Sequence, residues 1–153
     1  MPLTYEISTD PTRLNIPLIH NFLRTSYWAP NIPLAVVEKS IRHSLCFAAY
    51  LGTDQVAFAR VISDFATFAY IADVFVLPAH RGHGLSKLIL QSILAHPDLQ
   101  GLRWRLLATR DAHPLYAQFG FQPLPNPDLF MTIHKPDVYK EGNAPAPRTQ
   151  PPK

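Results

Sequence analysis

One cysteine, Cys46, stands in the 153 residues, so the chain has no internal disulfide and no cysteine-built metal site. It lies inside the apolar run Leu45–Leu51, where a buried, inert thiol is expected. Long apolar runs are missing too. The most extended apolar region, Phe65 to Leu77, is too short to cross a membrane and carries Asp73. Met1–Asp10 is short of basic residues and has no long apolar core, so no secretory leader is expected. A soluble, reducing compartment, the cytoplasm, is the expected setting. Charge of one sign is not concentrated either. Lys and Arg number 14 against 11 Asp and Glu, a net of +3, and the basic residues are scattered rather than striped. That balance admits an anionic small-molecule partner and gives no nucleic-acid footprint.

What is present suits a single domain: 47% of residues are hydrophobic, enough for a sizeable core. The most informative stretch is Asp73–Ala95, DVFVLPAHRGHGLSKLILQSILA. Strand-like Val74–Leu77 is broken at Pro78 and followed by the basic glycine turn Arg81-Gly82-His83-Gly84. Leu85, Leu88, Ile89, Ile93 and Leu94 then recur at helical spacing. A strand feeding a glycine turn that opens a helix aims several backbone N–H groups at one place. The helix dipole adds positive character there, so a phosphate is the expected guest. Glycine can also serve only to let a tight turn take positive φ. Leu85-Ser86-Lys87 is not the Gly-Lys-Ser/Thr ending of a P-loop, and the third glycine of a dinucleotide fingerprint is missing.

The pattern V-x-P-x-x-R-G-x-G-L at Val76–Leu85 resembles the acyl-CoA-binding motif of the GNAT superfamily of N-acetyltransferases. Leu115-Tyr116-Ala-Gln-Phe119-Gly120-Phe121 is similar to that superfamily's later L-Y-x-x-x-G-F block. The resemblance runs from about Leu45 to Lys135. It implies an α/β (α+β) fold, a mixed central sheet of six to seven strands flanked by about four helices. It also implies acetyl-CoA as cosubstrate, no metal, and transfer of the acetyl group to a primary amine of a small or amino-acid-like acceptor by direct attack. A non-catalytic acyl-CoA sensor on the same fold is the alternative. Homodimers are common among such relatives, which makes a dimer possible by analogy.

The resemblance also suggests roles. Backbone groups of Arg81, Gly82, His83, Gly84, Leu85 and Ser86 would hold the CoA pyrophosphate, with charge from Arg81 and Lys87. Phe75, Val76 and Leu77 match the strand that lies along the pantetheine arm, where a backbone amide also polarises the thioester carbonyl. Thr109 stands in the segment where many relatives contact that arm through an asparagine, from which this chain departs. Tyr116 matches the tyrosine that often protonates the leaving sulfur; its other reading is a core tyrosine beside Phe119 and Phe121. Asp73 is either a base, acting directly or through water, or one half of a structural ion pair, since a lone buried carboxylate is costly. Strand alternation keeps Asp73 and Tyr70 on opposite faces unless a bulge intervenes. Tyr27, Trp28 and Tyr70 are the candidate acceptor residues; Tyr27 and Trp28 either wall the acceptor site or plug the edge of the core. His80 and His83 have ligand-like spacing without a third ligand nearby in sequence, so no metal is expected. His113 either shuttles protons or lies on a helix surface.

Along the rest of the chain, Leu3–Ile7 reads as a first strand and Thr9 or Asp10 as the cap of a helix that Pro17 shortens or distorts. A second helix is expected over residues 33–43 with Leu34, Val37 and Ile41 inward, then a hairpin of runs 45–51 and 55–62 about Gly52. A long strand at 69–77 and the helix 84–95 follow, then a strand over 102–108. Asp111 is expected to cap a short helix, and Phe130–His134 to form a last strand. The domain is taken as residues 1–135; the proline-rich 136–153 reads as a flexible tail.

Overall fold

The computed structural model describes residues 3–140, so the expected tail from residue 141 onward lies outside the described residues. Among the described residues there are five strands, β1 (Glu6–Ser8), β2 (Leu45–Leu51), β3 (Asp54–Ser63), β4 (Phe68–Val76) and β5 (Trp104–Leu107). They form one sheet in chain order; the first three pairings are antiparallel and β4–β5 is parallel. The helices are α1 (Ile16–Leu23), α2 (Leu34–Arg42), α3 (Leu85–Ala95) and α4 (His113–Ala117). The expected mixed α/β sheet with four helices is therefore present, with five strands in place of six or seven.

The missing strand is the last one expected. Phe130–His134 alternates well enough in sequence, yet among the described residues it pairs with no strand and leaves Met131 97% and Ile133 92% exposed. Its alternation encodes the capacity to pair, and a strand also needs an edge within reach.

Local chemistry sets the other boundaries. Asp10 caps only a 3₁₀ turn over Pro11–Arg13, its carboxylate accepting the Thr12 N–H. Asn15 caps α1, accepting from Leu18 N–H, which places Pro17 in the first turn. Proline has no orphan donor to lose there, so the expected distortion does not arise. Leu34, expected inward, opens α2 and is exposed, whereas Val37 is fully buried. Asp111 does not cap α4. Ala112 holds that position, and Thr109 Oγ1 accepts the Ala112 N–H at 3.1 Å.

Two apolar layers form, one on each face of the sheet. Ala57, Ala59, Val61, Ala69, Ile71 and Val76 meet Leu85, Ile89, Leu90 and Ile93 of α3 on one side, with Tyr116 of α4 in the same cluster. On the other side Cys46, Phe58 and Phe75 meet Ile19 and Leu23 of α1 and Val37 of α2. Burial pushes the Cys46 thiol up to about 12.

The feature that creates the site is an irregularity in β4. Phe58 pairs with Phe75, but Arg60 pairs with Ala72, so Asp73 and Val74 together face Ala59. Asp73 takes the left-handed φ of 56°. Such a bulge inserts one residue and bends the strand. It resolves the alternation problem: Tyr70 and Ala72 before the bulge, and Asp73 and Phe75 within and after it, share one face. The β4–β5 register runs only from Phe68–Trp104 to Ile71–Leu107. Beyond that point β4 bends and the two strands no longer pair.

Candidate active site

A cleft of about 440 Å³ lies at the end of this opening. One wall is β4 after its bulge, Val74, Phe75 and Val76; the other is Ala112, Leu115 and Tyr116 of the α4 region. Arg81, Gly82, Gly84, Leu85, Ser86 and Lys87 line its mouth, and Phe22 and Trp28 close it from the α1 side.

The mouth is built from backbone. Gly82 and Gly84 take φ of 82° and 75°, and α3 begins directly after them. A Cβ on either glycine would meet nothing within 4 Å, so the left-handed turn, not crowding, demands glycine. The first helical bond runs from Leu88 N–H to Gly84 O, and the amides of residues 82–87 find no acceptor among the described residues. Free N–H groups at a helix N-terminus, with open space above them, form an anion cradle. Arg81 is fixed beside it, its Nε–H donating to Val76 O at 3.1 Å. His83 does not line the cleft; its ring sits near Tyr5 at 5.9 Å. Tyr5 also makes a hydrogen bond with His80 Nδ1 at 3.1 Å, which ties the N-terminal segment to the turn before the loop.

At the inner end, Tyr116 is buried with its hydroxyl making no hydrogen bond among the described residues, while its ring packs edge-on against Phe121. Burial, and secondarily the nearby Tyr27 phenol, push its hydroxyl above the ordinary tyrosine value. It therefore stays protonated at neutral pH and is able to donate.

Asp73 does not line the cleft. One carboxylate oxygen accepts from Arg60 Nε at 2.8 Å and the other from Trp28 Nε1 at 2.9 Å. Arg60 in turn donates to Ser44 Oγ at 3.2 Å. Both carboxylate oxygens are thus engaged, and the pair binds the α1–α2 loop to the bulge. Trp28 reaches the cleft wall; Tyr27 lies under the Arg110 guanidinium at 3.9 Å and accepts the Arg110 N–H at 3.3 Å. Tyr70, before the bulge, lines no part of the cleft. Leu77 packs with the α1–α2 layer, and Thr109 lies in a neighbouring groove beside β5. His113, at the start of α4, lines that same groove. Among the described residues no three His, Cys, Asp or Glu side chains gather as a metal site would need.

Sequence reasoning missed Phe22 and Arg60. Phe22 reads as one more core residue at helical spacing, yet its ring stacks on Phe75 at 4.0 Å and reaches the cleft. Arg60 carried a usable signal: a lone cation in the apolar run 55–62, facing a lone carboxylate in the next strand.

A mixed sheet parted at a bulge, with a glycine-opened helix at the mouth of the gap, suits an anionic ligand whose remainder lies in the gap. Comparison with known proteins agrees: residues 42–123 match the family described as acetyltransferase (GNAT) domain. A candidate acetyltransferase of Gibberella zeae is 32% identical over 137 residues, covering 74% of this chain and 76% of that protein. A crystal structure of a GNAT-family candidate acetyltransferase from Xanthomonas campestris pv. campestris superposes with a TM-score of 0.88 at 54% identity, covering 92% of this chain and 99% of that one. A candidate acetyltransferase of Clostridium acetobutylicum solved with acetyl-CoA shares the fold at 16% identity, TM-score 0.63, over 86% of this chain and 95% of that one. The chain belongs to the GNAT acetyltransferase family, whose chemistry is acetyl transfer.

Proposed function

We propose that the protein transfers the acetyl group of acetyl-CoA to the primary amine of a small or amino-acid-like acceptor. The observation that carries this reading is the continuity of one cleft from unpaired loop amides to a protonated tyrosine hydroxyl. The solved relative from Clostridium acetobutylicum that holds acetyl-CoA supports the choice of donor. The thioester brings an activated acetyl carbon and a thiol leaving group. Amides of Gly82–Lys87 receive the diphosphate, with Arg81 and Lys87 adding charge. The free edge of β4 over Val74–Val76 offers main-chain groups to the pantetheine arm and a polarising amide to the carbonyl. Attack by the neutral amine forms the amide, and Tyr116 gives its proton to the departing sulfur. Phenol and alkyl thiol titrate within about two units of each other, so the transfer is well matched. Asp73 acts here as a positioning group for Trp28 through its pairing with Arg60, and the amine loses its proton to water. Trp28 and Phe22 form an apolar wall for the acceptor.

A second reading, an acyl-CoA sensor without turnover, is favoured by one observation: the Asp73 carboxylate, the candidate base, has both oxygens occupied. Calorimetry with acetyl-CoA followed by a thiol-release assay over an amine panel separates the two. Release of thiol with at least one amine supports the transferase; tight binding with no release on any amine supports the sensor. Preference for ATP over CoA in the titration overturns both.

A further inference from the structure

Opposite the glycine loop, two connections meet at the far end of the cleft. Tyr27, between α1 and α2, and Arg110, between β5 and α4, stand 83 residues apart yet touch twice. The Tyr27 hydroxyl accepts the Arg110 N–H at 3.3 Å, and the guanidinium lies over the ring at 3.9 Å from its centroid. Trp28, next to Tyr27, and Ala112, just after Arg110, line the cleft itself. Trp28 also meets Tyr27 edge-on at 5.0 Å, so Arg110, Tyr27 and Trp28 form one stack from the rim to the cleft wall. After burial, the Tyr27 phenol is what raises the Tyr116 hydroxyl, which places the stack close to the proposed acid.

Charge at this end is one-sided. Asp73 is engaged by Arg60 and Trp28. Asp111, next to Arg110 in the chain, makes no ion pair with it, and among the described residues the Arg110 guanidinium has no carboxylate or carbonyl partner. The side chain is held by its face alone, which leaves the edge donors of its fork unengaged. A second cation is not suited to this place: a face of Tyr27 is already covered by the guanidinium, and like charges repel.

We propose that Arg110 selects the acceptor: the amine carries a carboxylate, which the guanidinium receives through two parallel N–H···O bonds, and an apolar side group that lies on Phe22 and Trp28. This rests on the transferase reading above and narrows its acceptor to an apolar amino acid. The carboxylate takes no part in the bond changes. The C–S bond of the thioester breaks as the C–N bond forms, the sulfur takes the Tyr116 proton, and the amine proton passes to water. Arginine matters at this position because lysine keeps the charge and loses both the planar fork and the stack on Tyr27.

The test uses the full chain and acetyl-CoA, with thiol release read for L-phenylalanine against phenethylamine and for L-leucine against isoamylamine. Each pair differs by the carboxylate. Arg110→Gln is expected to lower kcat/KM for the amino acid by about tenfold or more beyond its effect on the matching amine, with the loss carried by KM. Comparing variant with wild type on each compound cancels the unequal basicity of the paired amines. Arg110→Lys is expected to recover part of the lost preference. Arg110 is exposed, so these replacements leave the core intact, which circular dichroism checks. Equal losses on both members of each pair, or a higher kcat/KM for spermidine than for either amino acid, overturn the inference while the transferase reading stands. Acetyl-CoA binding without thiol release from any amine overturns that reading, and this inference with it.

Discussion

Tyr116 is the residue on which turnover is expected to turn. Its hydroxyl is held above the ordinary value by burial, so the donating form persists across the physiological range. Tyr116→Phe is expected to lower kcat by about 100-fold or more, the lower end of what a positioned general acid contributes, with acetyl-CoA affinity changed little. Because the acid must carry its proton, and burial raises its value, the alkaline fall in kcat belongs above the ordinary tyrosine range rather than near neutrality. A pH–rate profile that is unchanged in the phenylalanine variant removes the tyrosine from the chemistry. Cys46 makes a separate stability prediction. Its thiol titrates at about 12 in the folded chain, against about 8.5 when unfolded. Above the unfolded value the unfolded chain binds fewer protons than the native one, so stability falls as pH rises through that window. The slope from this one group approaches about 1.4 kcal/mol per pH unit. Urea unfolding at pH 8 and pH 10 is expected to show this loss in the wild type and a smaller loss in Cys46→Ala.

The glycine loop and the bulge belong to the scale of elements. At Gly84 the constraint is the φ of 75°, since a Cβ meets open space. Asn tolerates left-handed backbone far better than a β-branched residue does. Gly84→Asn is therefore expected to keep most of the acetyl-CoA affinity, and Gly84→Val to lose at least tenfold, read by calorimetry; equal losses would mean that space, not conformation, is limiting. In the bulge, Asp73→Ala would leave the nearly buried Arg60 without its partner. A destabilisation of about 3 kcal/mol is expected, together with a rise in acceptor KM as Trp28 loses its acceptor. A change confined to stability would assign Asp73 no positioning role. These two elements also mark what sequence can and cannot reveal. The loop was legible because its conformational demand is written in residue type: two glycines stand just before an amphipathic helix, where the backbone takes positive φ. The bulge was not, because nothing in DVFV marks the extra residue; only the misfit between Asp73 and Tyr70 hinted that strict alternation would fail. Phe130–His134 errs the other way: its period is that of a strand, yet among the described residues it pairs with no edge. Caps were legible in kind but shifted in place, Asn15 serving α1 where Thr9 or Asp10 was expected.

At the scale of the whole molecule, one sheet runs from β1 to β5 and opens where β4 and β5 part beyond Ile71 and Leu107. A ligand in that gap would touch β4 on one side, α4 on the other and the start of α3 at its mouth. It would thus bridge β4, α4 and the start of α3 at the point where the four-residue β4–β5 ladder has ended. Acetyl-CoA at a hundred times its Kd is expected to add about 2.7 kcal/mol by mass action. For a domain of this size that corresponds to a rise of about 5–10 °C in Tm. On the proposed reading Arg81 and Lys87 would meet the diphosphate at a partly exposed mouth, so the gain should shrink as salt is raised. Hydrogen exchange locates the effect: protection is expected at amides 82–87 and 74–76 together. Protection of 82–87 alone would mean that only the diphosphate is held and the arm does not enter the gap. No rise in Tm and no protection at either place would mean that the opening at the bulge is not where the thioester binds.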